Sequence, residues 1–180
     1  MKALFLCCTL VLHLVLAGNS TAVNYTKVYK GDDQKPVASA IDPDISDEKA
    51  SPETIDSLLQ KLDDPDPFVR VAAVQALGEI RQDRSLFSLC GCLTDENLYV
   101  RGYAAEALGK IGHLDTGYAL EQLSAALDDP SPYVRSMMAL ALGELQDKRA
   151  INTVRKLLQD EDETVRKMAA WALNKIEGFR

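Results

Sequence analysis

The stretch from Asp95 to Ile111, DENLYVRGYAAEALGKI, sets the pattern of this chain, because three other segments repeat it with few changes. The copies align on a Val-Arg pair, and successive pairs lie 31, 34 and 31 residues apart. A period of this length is typical of proteins built from stacked helical units. The four pairs are Val69-Arg70, Val100-Arg101, Val134-Arg135 and Val165-Arg166.

Each copy has the pattern of an amphipathic helix that begins just before its Val-Arg pair. The residue three positions before the valine is Asp66, Asn97, Ser131 or Asp162, and each of these can cap a helix. Apolar residues recur four, eight and eleven positions after the valine, which keeps one stripe of the helix facing a core. A second helical pattern precedes each valine. Each unit is therefore predicted to be a helical hairpin, and the chain an all-α protein, a short right-handed α-solenoid.

An arginine follows each repeated valine in the first helical turn, where the helix dipole opposes a positive charge. Four such placements indicate an acidic partner, and an aspartate lies five positions before each valine. We expect contacts between these side chains that tie each unit to its neighbour, with solvated arginines as the alternative. The predicted ladder consists of Asp64, Arg70, Asp95, Arg101, Asp129, Arg135, Asp160 and Arg166.

The pattern D-x-x-x-x-V-R-x-x-A-A-x-A-L-G-x-I resembles the HEAT-like repeat of phycobilisome lyases over residues 51–176. This resemblance implies a solenoid of the HEAT type. It implies much less about function, because such repeats serve many unrelated partners.

The resemblance also implies a concave face lined by one helix of each hairpin, and we assign that role to the helix before each Val-Arg pair. Phe87 and Tyr118 are its proposed anchors, because a few large rings often dominate an interface. Scattered surface aromatics without a role are the alternative. The predicted partner-binding residues are Phe87, Ser88, Tyr118, Glu121, Gln122, Asn152 and Lys156.

A change of polarity marks the last two units. The position six residues after the valine is polar in the first two copies but is Leu140 and then Trp171 in the others. Apolar residues at a solvated position indicate a covered patch. We therefore predict a contact patch of Leu140, Trp171 and Phe179 for a second copy or another partner, with Phe179 packed on Trp171 as the alternative.

The first fifty residues differ from the repeats. Residues 1–22 combine Lys2, an apolar run and small residues, which is the pattern of an export signal, cleaved after Ala17 or Ala22 or kept as an anchor. Residues 23–50 lack apolar periodicity and predict a flexible arm before a repeat domain at 51–180. Export would place the protein in a bacterial periplasm or medium, or in a eukaryotic secretory pathway, with no stable membrane span after cleavage.

Candidate chemistry is sparse. His113 is the one histidine that remains beyond the leader, so the sequence predicts no imidazole pair for a metal and no catalytic triad. Similar repeat proteins that act as di-iron hydroxylases carry His-Glu after the arginine, whereas this chain has Val71-Ala72, Gly102-Tyr103, Ser136-Met137 and Lys167-Met168 there. Cys90 and Cys92 are interpreted as buried thiols, with redox or metal work as the alternative. We predict no catalytic residue, no metal and no cofactor.

These observations together predict an exported, non-enzymatic protein-binding module or scaffold that docks a protein or peptide. The net charge of −7 excludes nucleic acid in this interpretation, because a phosphate-binding face is normally basic. One alternative is an enzyme or enzyme-associated subunit related to the lyases, of lyase or oxidoreductase type. Another is a chaperone-like factor that holds a client.

Overall fold

The computed structural model describes residues 52–112 and 115–178, and within these ranges the chain forms alternating short and long helices without a strand. Short 3-10 turns at 61–63, 83–85, 92–94 and 148–150 adjoin the short helices. The predicted all-α solenoid of helical hairpins is confirmed. The helices are α1 (Pro52–Gln60), α2 (Pro67–Ile80), α3 (Leu86–Gly91), α4 (Leu98–Ile111), α5 (Thr116–Ala125), α6 (Pro132–Leu145), α7 (Ile151–Leu157) and α8 (Glu163–Glu177).

The long helices begin at the residues that the capping pattern indicates. The side chains of Asp66, Asn97 and Asp162 each accept hydrogen bonds from backbone N–H groups of the first turn. Ser131 occupies the equivalent position, but its side chain makes no such bond. At that helix, Pro132 fills the first position, where the missing N–H leaves one donor fewer to satisfy.

The helices form two rows. The long helices α2, α4, α6 and α8 pack side by side, and the short helices lie against them as a second row. The core lies between the rows, where Leu77, Leu108 and Leu142 from the long helices and Leu89 and Leu123 from the short ones are fully buried. This burial uses the apolar stripe of each helix, and it makes every unit depend on its neighbours.

Glycine and alanine set the spacing within the long row. A Cβ atom added at Gly78 would lie 2.8 Å from the Cβ of Ala107, and one at Gly109 would lie 2.8 Å from the Cα of Ala141. One added at Gly143 would lie 2.9 Å from the Cα of Ala172. The long helices therefore approach so closely that no larger residue fits at these positions.

Several predictions from the sequence lie outside the described residues. These are the leader (1–22), the arm (23–50), His113 and Phe179. Within the described part of the chain, no helix has both the length and the apolar character needed to cross a bilayer.

Candidate functional site

The two rows differ in spacing, and this difference decides which of them lies on the inside of the curve. Neighbouring long helices touch along most of their length, whereas α3 and α5 make far fewer contacts with each other. In a curved array, the row with the smaller spacing lies on the inside. We infer from this packing that the long row is the inner one, whereas the sequence analysis assigned the concave side to the short helices with Phe87 and Tyr118.

The long helices present one stripe of residues to solvent on the side opposite the short row. Helical geometry places the residues at −1, +3, +6 and +10 relative to each repeated valine on this stripe. We call it the inner face. Met168, at +3 in the last unit, is buried, and the other residues at these positions are exposed or half-buried. The inner face comprises Phe68, Tyr99, Tyr133, Thr164, Ala72, Tyr103, Met137, Gln75, Glu106, Leu140, Trp171, Glu79, Lys110, Glu144 and Lys175.

Aromatic residues occupy the amino-terminal end of the inner face in three consecutive units. Phe68 is 44% exposed, and the rings of Tyr99 and Tyr133 lie 5.8 Å apart in a tilted arrangement. The ring of Tyr133 also covers Gly102, since a Cβ atom there would lie 2.3 Å from it. The sequence analysis missed this row, although an aromatic residue directly before the valine in three of four copies is a readable signal.

The opposite end of the inner face is charged. The Nζ atom of Lys110 lies 2.6 Å from a carboxylate oxygen of Glu79 and 2.9 Å from one of Glu106. Burial lowers the pKa of Lys110, but the two carboxylates raise it by more, so its pKa lies above the ordinary value. This cation therefore stays charged and links α2 to α4.

The predicted carboxyl-terminal patch is only partly described. Leu140 and Trp171 are both half-buried on the inner face. The indole of Trp171 packs over Gly143, because a Cβ atom there would lie 2.6 Å from the ring, and the Nζ of Lys175 lies 5.4 Å from the ring centroid. Phe179 is outside the described residues, so its packing on Trp171 stays a prediction.

The short row carries a second aromatic pair. The rings of Phe87 and Tyr118 lie 4.8 Å apart, and Phe87 is 64% exposed. The structure thus brings the two predicted anchors together on adjacent units, but on the outer row. Among the other predicted binding residues, Ser88 and Gln122 are half-buried, while Glu121, Asn152 and Lys156 are exposed.

The arginines and aspartates of the ladder meet between units. Arg70, Arg101 and Arg135 each direct Nε and Nη2 at the two carboxylate oxygens of the aspartate in the following unit, which is Asp95, Asp129 and Asp160 in turn. The Nε–oxygen distances are 2.8, 2.6 and 2.8 Å. Such paired hydrogen bonds are among the stronger polar contacts in proteins.

Each ladder arginine also binds its own unit. The Nη1 atom of Arg70 donates to the backbone carbonyl of Asp64, and Arg101 and Arg135 do the same at Asp95 and Asp129. One guanidinium therefore joins two successive turns. The hydrogen bond from Arg135 holds the pKa of Asp160 below its usual range.

The two ends of the ladder are different. Arg166 donates from Nη1 to the carbonyls of Asp160 and Glu161, but among the described residues it faces no following unit. Asp64 receives the N–H of Asp66 on its carboxylate, and no described unit precedes it. The predicted set of eight residues is thus three joined pairs with a single residue at each end.

Two open hollows lie along the ladder edge. The larger, of about 460 Å³, is lined by Asp128, Arg135, Lys156 and Glu161 among other residues. The smaller, of about 390 Å³, lies beside Arg101 and Asp129. Ladder side chains contribute to both hollows, with Asp129, Arg135 and Asp160 in the larger and Asp95, Arg101 and Asp129 in the smaller.

The thiols of Cys90 and Cys92 are free and buried. Burial raises the pKa of each to about 11. The Sγ of Cys92 also lies 3.4 Å from the carbonyl oxygen of Ser88 as a donor. A thiol with so high a pKa holds little of the reactive thiolate near neutral pH.

The described residues offer little for metal or acid–base chemistry. In residues 52–112 and 115–178, no group of three or more His, Cys, Asp or Glu side chains is arranged to hold a metal ion. What this part of the chain presents is three surfaces: the inner face, the outer aromatic pair and the ladder edge. The two rows of packed helices that carry these surfaces define the class of protein, an α-solenoid of helical hairpins.

The family of this solenoid is shown by comparison with known proteins. The HEAT-repeat family matches residues 55–125 and 120–178, so this chain belongs to the HEAT-repeat family. The predicted resemblance to the HEAT-like repeats of phycobilisome lyases is likewise confirmed.

Relatives and solved structures extend this assignment. The uncharacterized phycocyanin operon protein Z of Pseudanabaena tenuis is 28% identical over 169 residues, covering 71% of this chain and 84% of that protein. The structure of human deoxyhypusine hydroxylase superposes with a TM-score of 0.60 at 25% identity, covering 74% of this chain but only 45% of the hydroxylase. The complex of CpcE and CpcF of phycocyanin lyase from Nostoc matches with a TM-score of 0.51 at 21% identity, covering 77% and 70%.

Proposed function

We propose that this chain is a non-enzymatic protein-binding scaffold that docks a segment of a partner protein on its inner face. The observation that carries the proposal is the aromatic row of Phe68, Tyr99 and Tyr133, which crosses three units on the closely packed side of the solenoid. Phe68 is 44% exposed at this end of the face. Contiguous exposed apolar residues on a soluble protein mark binding sites, and large rings contribute much of the binding energy.

Export belongs to the same proposal. Residues 1–22 would act as the signal, or as an anchor if uncleaved, and residues 23–50 would provide reach between the anchor or amino terminus and the repeats. The acidic balance of the chain suits a soluble scaffold with basic or polar partners.

An enzyme-associated role is the second candidate, and the relatives favour it. Similar proteins include a phycocyanin lyase complex, a phycocyanin operon protein and a deoxyhypusine hydroxylase. The four positions where similar hydroxylases carry His-Glu hold other residues here. A chromophore client would suit a lyase-like or chaperone-like role.

Metal analysis and a visible-range spectrum of the purified protein distinguish these candidates. Stoichiometric metal or a bound chromophore supports an enzyme-related or chaperone-like role. A protein without either leaves the binding scaffold as the better account.

Affinity capture from the native compartment tests the docking face directly. The full chain is compared with Phe68→Ser on the inner face and with Phe87→Ser, the same change at an exposed phenylalanine of the outer row. We expect the partner to be lost from the first variant and kept by the second. Retention by the inner-face variant with loss from Phe87→Ser would move the binding site to the outer row and overturn the proposal.

A further inference from the structure

We propose that the inner face binds a cationic, extended polypeptide segment whose lysine or arginine side chains lie over the aromatic row and beside the acidic turns that precede it. This inference rests on the proposed function and adds the chemistry of the partner. It commits to one occupant, a basic stretch of another protein, on the basis of charge complementarity.

The turns that enter the long helices are rich in exposed carboxylates. Glu96 and Glu161 are 86% and 89% exposed at their side chains, and Asp63 and Asp128 are also exposed. Glu96 and Glu161 form ion pairs with Arg70 and Arg135 at 3.3 and 3.5 Å, and their high exposure leaves both carboxylates accessible from solvent. The ladder edge, where the long helices begin, is therefore lined with negative charge, and we call it the rim.

The arginines of the same turns do not cancel this charge at the surface. The side chains of Arg70, Arg101 and Arg135 are only 9–13% exposed, because each one is held between a backbone carbonyl and the aspartate of the next unit. Their positive charge is paired with the carboxylates of the ladder aspartates. A ligand that approaches the rim meets the glutamates first, and opposite charge there speeds association and selects the partner.

The aromatic row follows the acidic turns along the chain. Phe68, Tyr99 and Tyr133 each come two residues after the N-cap position of their long helix, so they lie in its first turn. An ammonium or guanidinium group over such a ring is attracted by the ring quadrupole, and a nearby carboxylate adds to the attraction. An anionic segment would be repelled by the same groups.

The inner face already holds one cation in this manner. The Nζ of Lys175 lies 5.4 Å from the centroid of Trp171, which is on the inner face of the last unit. This intramolecular contact is the geometry that the occupant would repeat on the preceding units.

The length of the occupant follows from the helix spacing. Packed helix axes lie about 8–10 Å apart, so the three helices that carry the rings span about 20 Å from the axis of α2 to that of α6. An extended chain advances about 3.3 Å per residue, and about six residues therefore cross the row. Two or three basic side chains in such a segment would meet the rings and the rim.

Peptide titration of the purified full chain tests this inference. The probes are three labelled nine-residue peptides of equal length, one with lysine and arginine at alternate positions, one with glutamate there and one with serine. Binding is followed by fluorescence anisotropy, and Trp171, the one tryptophan of the chain, gives a second readout. We expect the cationic peptide alone to bind, with an affinity that falls as salt is raised.

Variants localise the binding. The rim variant Glu96→Gln/Glu161→Gln is expected to weaken the cationic peptide about three- to tenfold, because each exposed charge contributes modestly. Asp83→Asn/Glu177→Gln removes two exposed carboxylates near the carboxyl-terminal ends of α2 and α8, so it is the matched control and is expected to leave the affinity unchanged. An equal loss in the control would mean that net charge alone drives binding, which overturns the site.

The remaining outcomes separate this inference from the proposed function. If the serine or glutamate peptide binds as well as the cationic one, the partner chemistry is wrong. If no peptide binds, or if the chain forms a dimer that covers the face, the inference is also wrong. In each case the capture experiment with Phe68→Ser still decides the docking face, because it uses the native partner and not these probes.

Discussion

At the residue level, the ladder arginine explains how the units are joined. Its Nη1 atom is fixed by a carbonyl of its own turn, and its Nε and Nη2 atoms hold the aspartate of the next turn. The same aspartate also accepts the N–H two residues further on, as Asp129 does from Ser131. One side chain therefore fixes the turn, the start of the helix and the contact between units.

Removal of Arg101 is expected to destabilise the protein more than removal of its counterpart in the last unit. The side chains of Arg101 and Asp129 are only 13% and 7% exposed, so Arg101→Ala leaves a largely buried carboxylate without its cation. We expect the free energy of unfolding to fall by about 3 kcal/mol. Urea denaturation followed by circular dichroism at neutral pH measures this change.

Arg166→Ala is the control for that measurement. Arg166 also donates a hydrogen bond to a backbone carbonyl, but within the described residues it pairs with no carboxylate of a following unit. Its loss is expected to cost about 1 kcal/mol. Equal effects of the two substitutions would mean that the carboxylate contact contributes nothing to stability.

The contacts of the ladder could be predicted from sequence, but the aromatic row was missed. An arginine placed against a helix dipole four times requires a partner, and the repeated aspartate supplies it at a fixed distance along the chain. An aromatic residue before the valine does not oppose the helix dipole, so the sequence alone does not require a partner for it. The binding role proposed for Phe68, Tyr99 and Tyr133 depends on which side of each helix the neighbouring helices leave exposed to solvent.

At the level of helices, small residues decide how the long row packs. Gly109 lies against the backbone of Ala141, and the same contact recurs at Gly78 and Gly143. Glycine disfavours a helix by about 1 kcal/mol relative to alanine, so its repeated use inside long helices requires a compensating gain in packing. In the last unit Asn174 takes this position and is exposed, which suits a helix that no described unit covers.

Gly109→Ala and Gly91→Ala are expected to change stability in opposite directions. A Cβ atom at Gly109 would lie 2.8 Å from the Cα of Ala141 and would push α4 and α6 apart, whereas a Cβ atom at Gly91 would have no neighbour within 4 Å. After the gain in helix propensity, we expect Gly109→Ala to lower the free energy of unfolding by about 1–2 kcal/mol. We expect Gly91→Ala, whose backbone is helical, to raise it by about 0.5–1 kcal/mol.

Thermal and urea unfolding of both variants check this pair. Stabilisation by both substitutions would show that the long helices can move apart without cost. The close approach at Gly109 would then not explain why the long helices are spaced more closely than the short ones.

At the scale of the whole molecule, each unit gains its stability from its neighbours. The helices α4 and α6 have long helices on both sides, whereas α2 and α8 have a described long neighbour on one side only. In such an array, stability is close to a sum of terms for single units and their interfaces. The central units should therefore open less often than the terminal ones.

Amide hydrogen exchange is expected to follow this order. The backbone N–H groups of α4 and α6 should exchange most slowly, and those of α1 and α8 most rapidly. Arg135→Ala, which removes the contact from α6 to Asp160, should speed exchange in α8 more than in α2. Uniform protection across the helices, or equal acceleration at both ends, would contradict a solenoid held together by neighbouring contacts.

Spacings along the chain are enough to predict the helical hairpins, their number of copies, three of the four caps and the contacts of the ladder. These features depend on short spacings that are the same in every copy, and a local pattern is enough to fix them. The packing of the helices shows which side chains of the long row face solvent, and from it we infer that this row lies inside the curve. Curvature depends on the difference in spacing between two rows, and that difference arises from contacts between helices about thirty residues apart, which no local pattern contains.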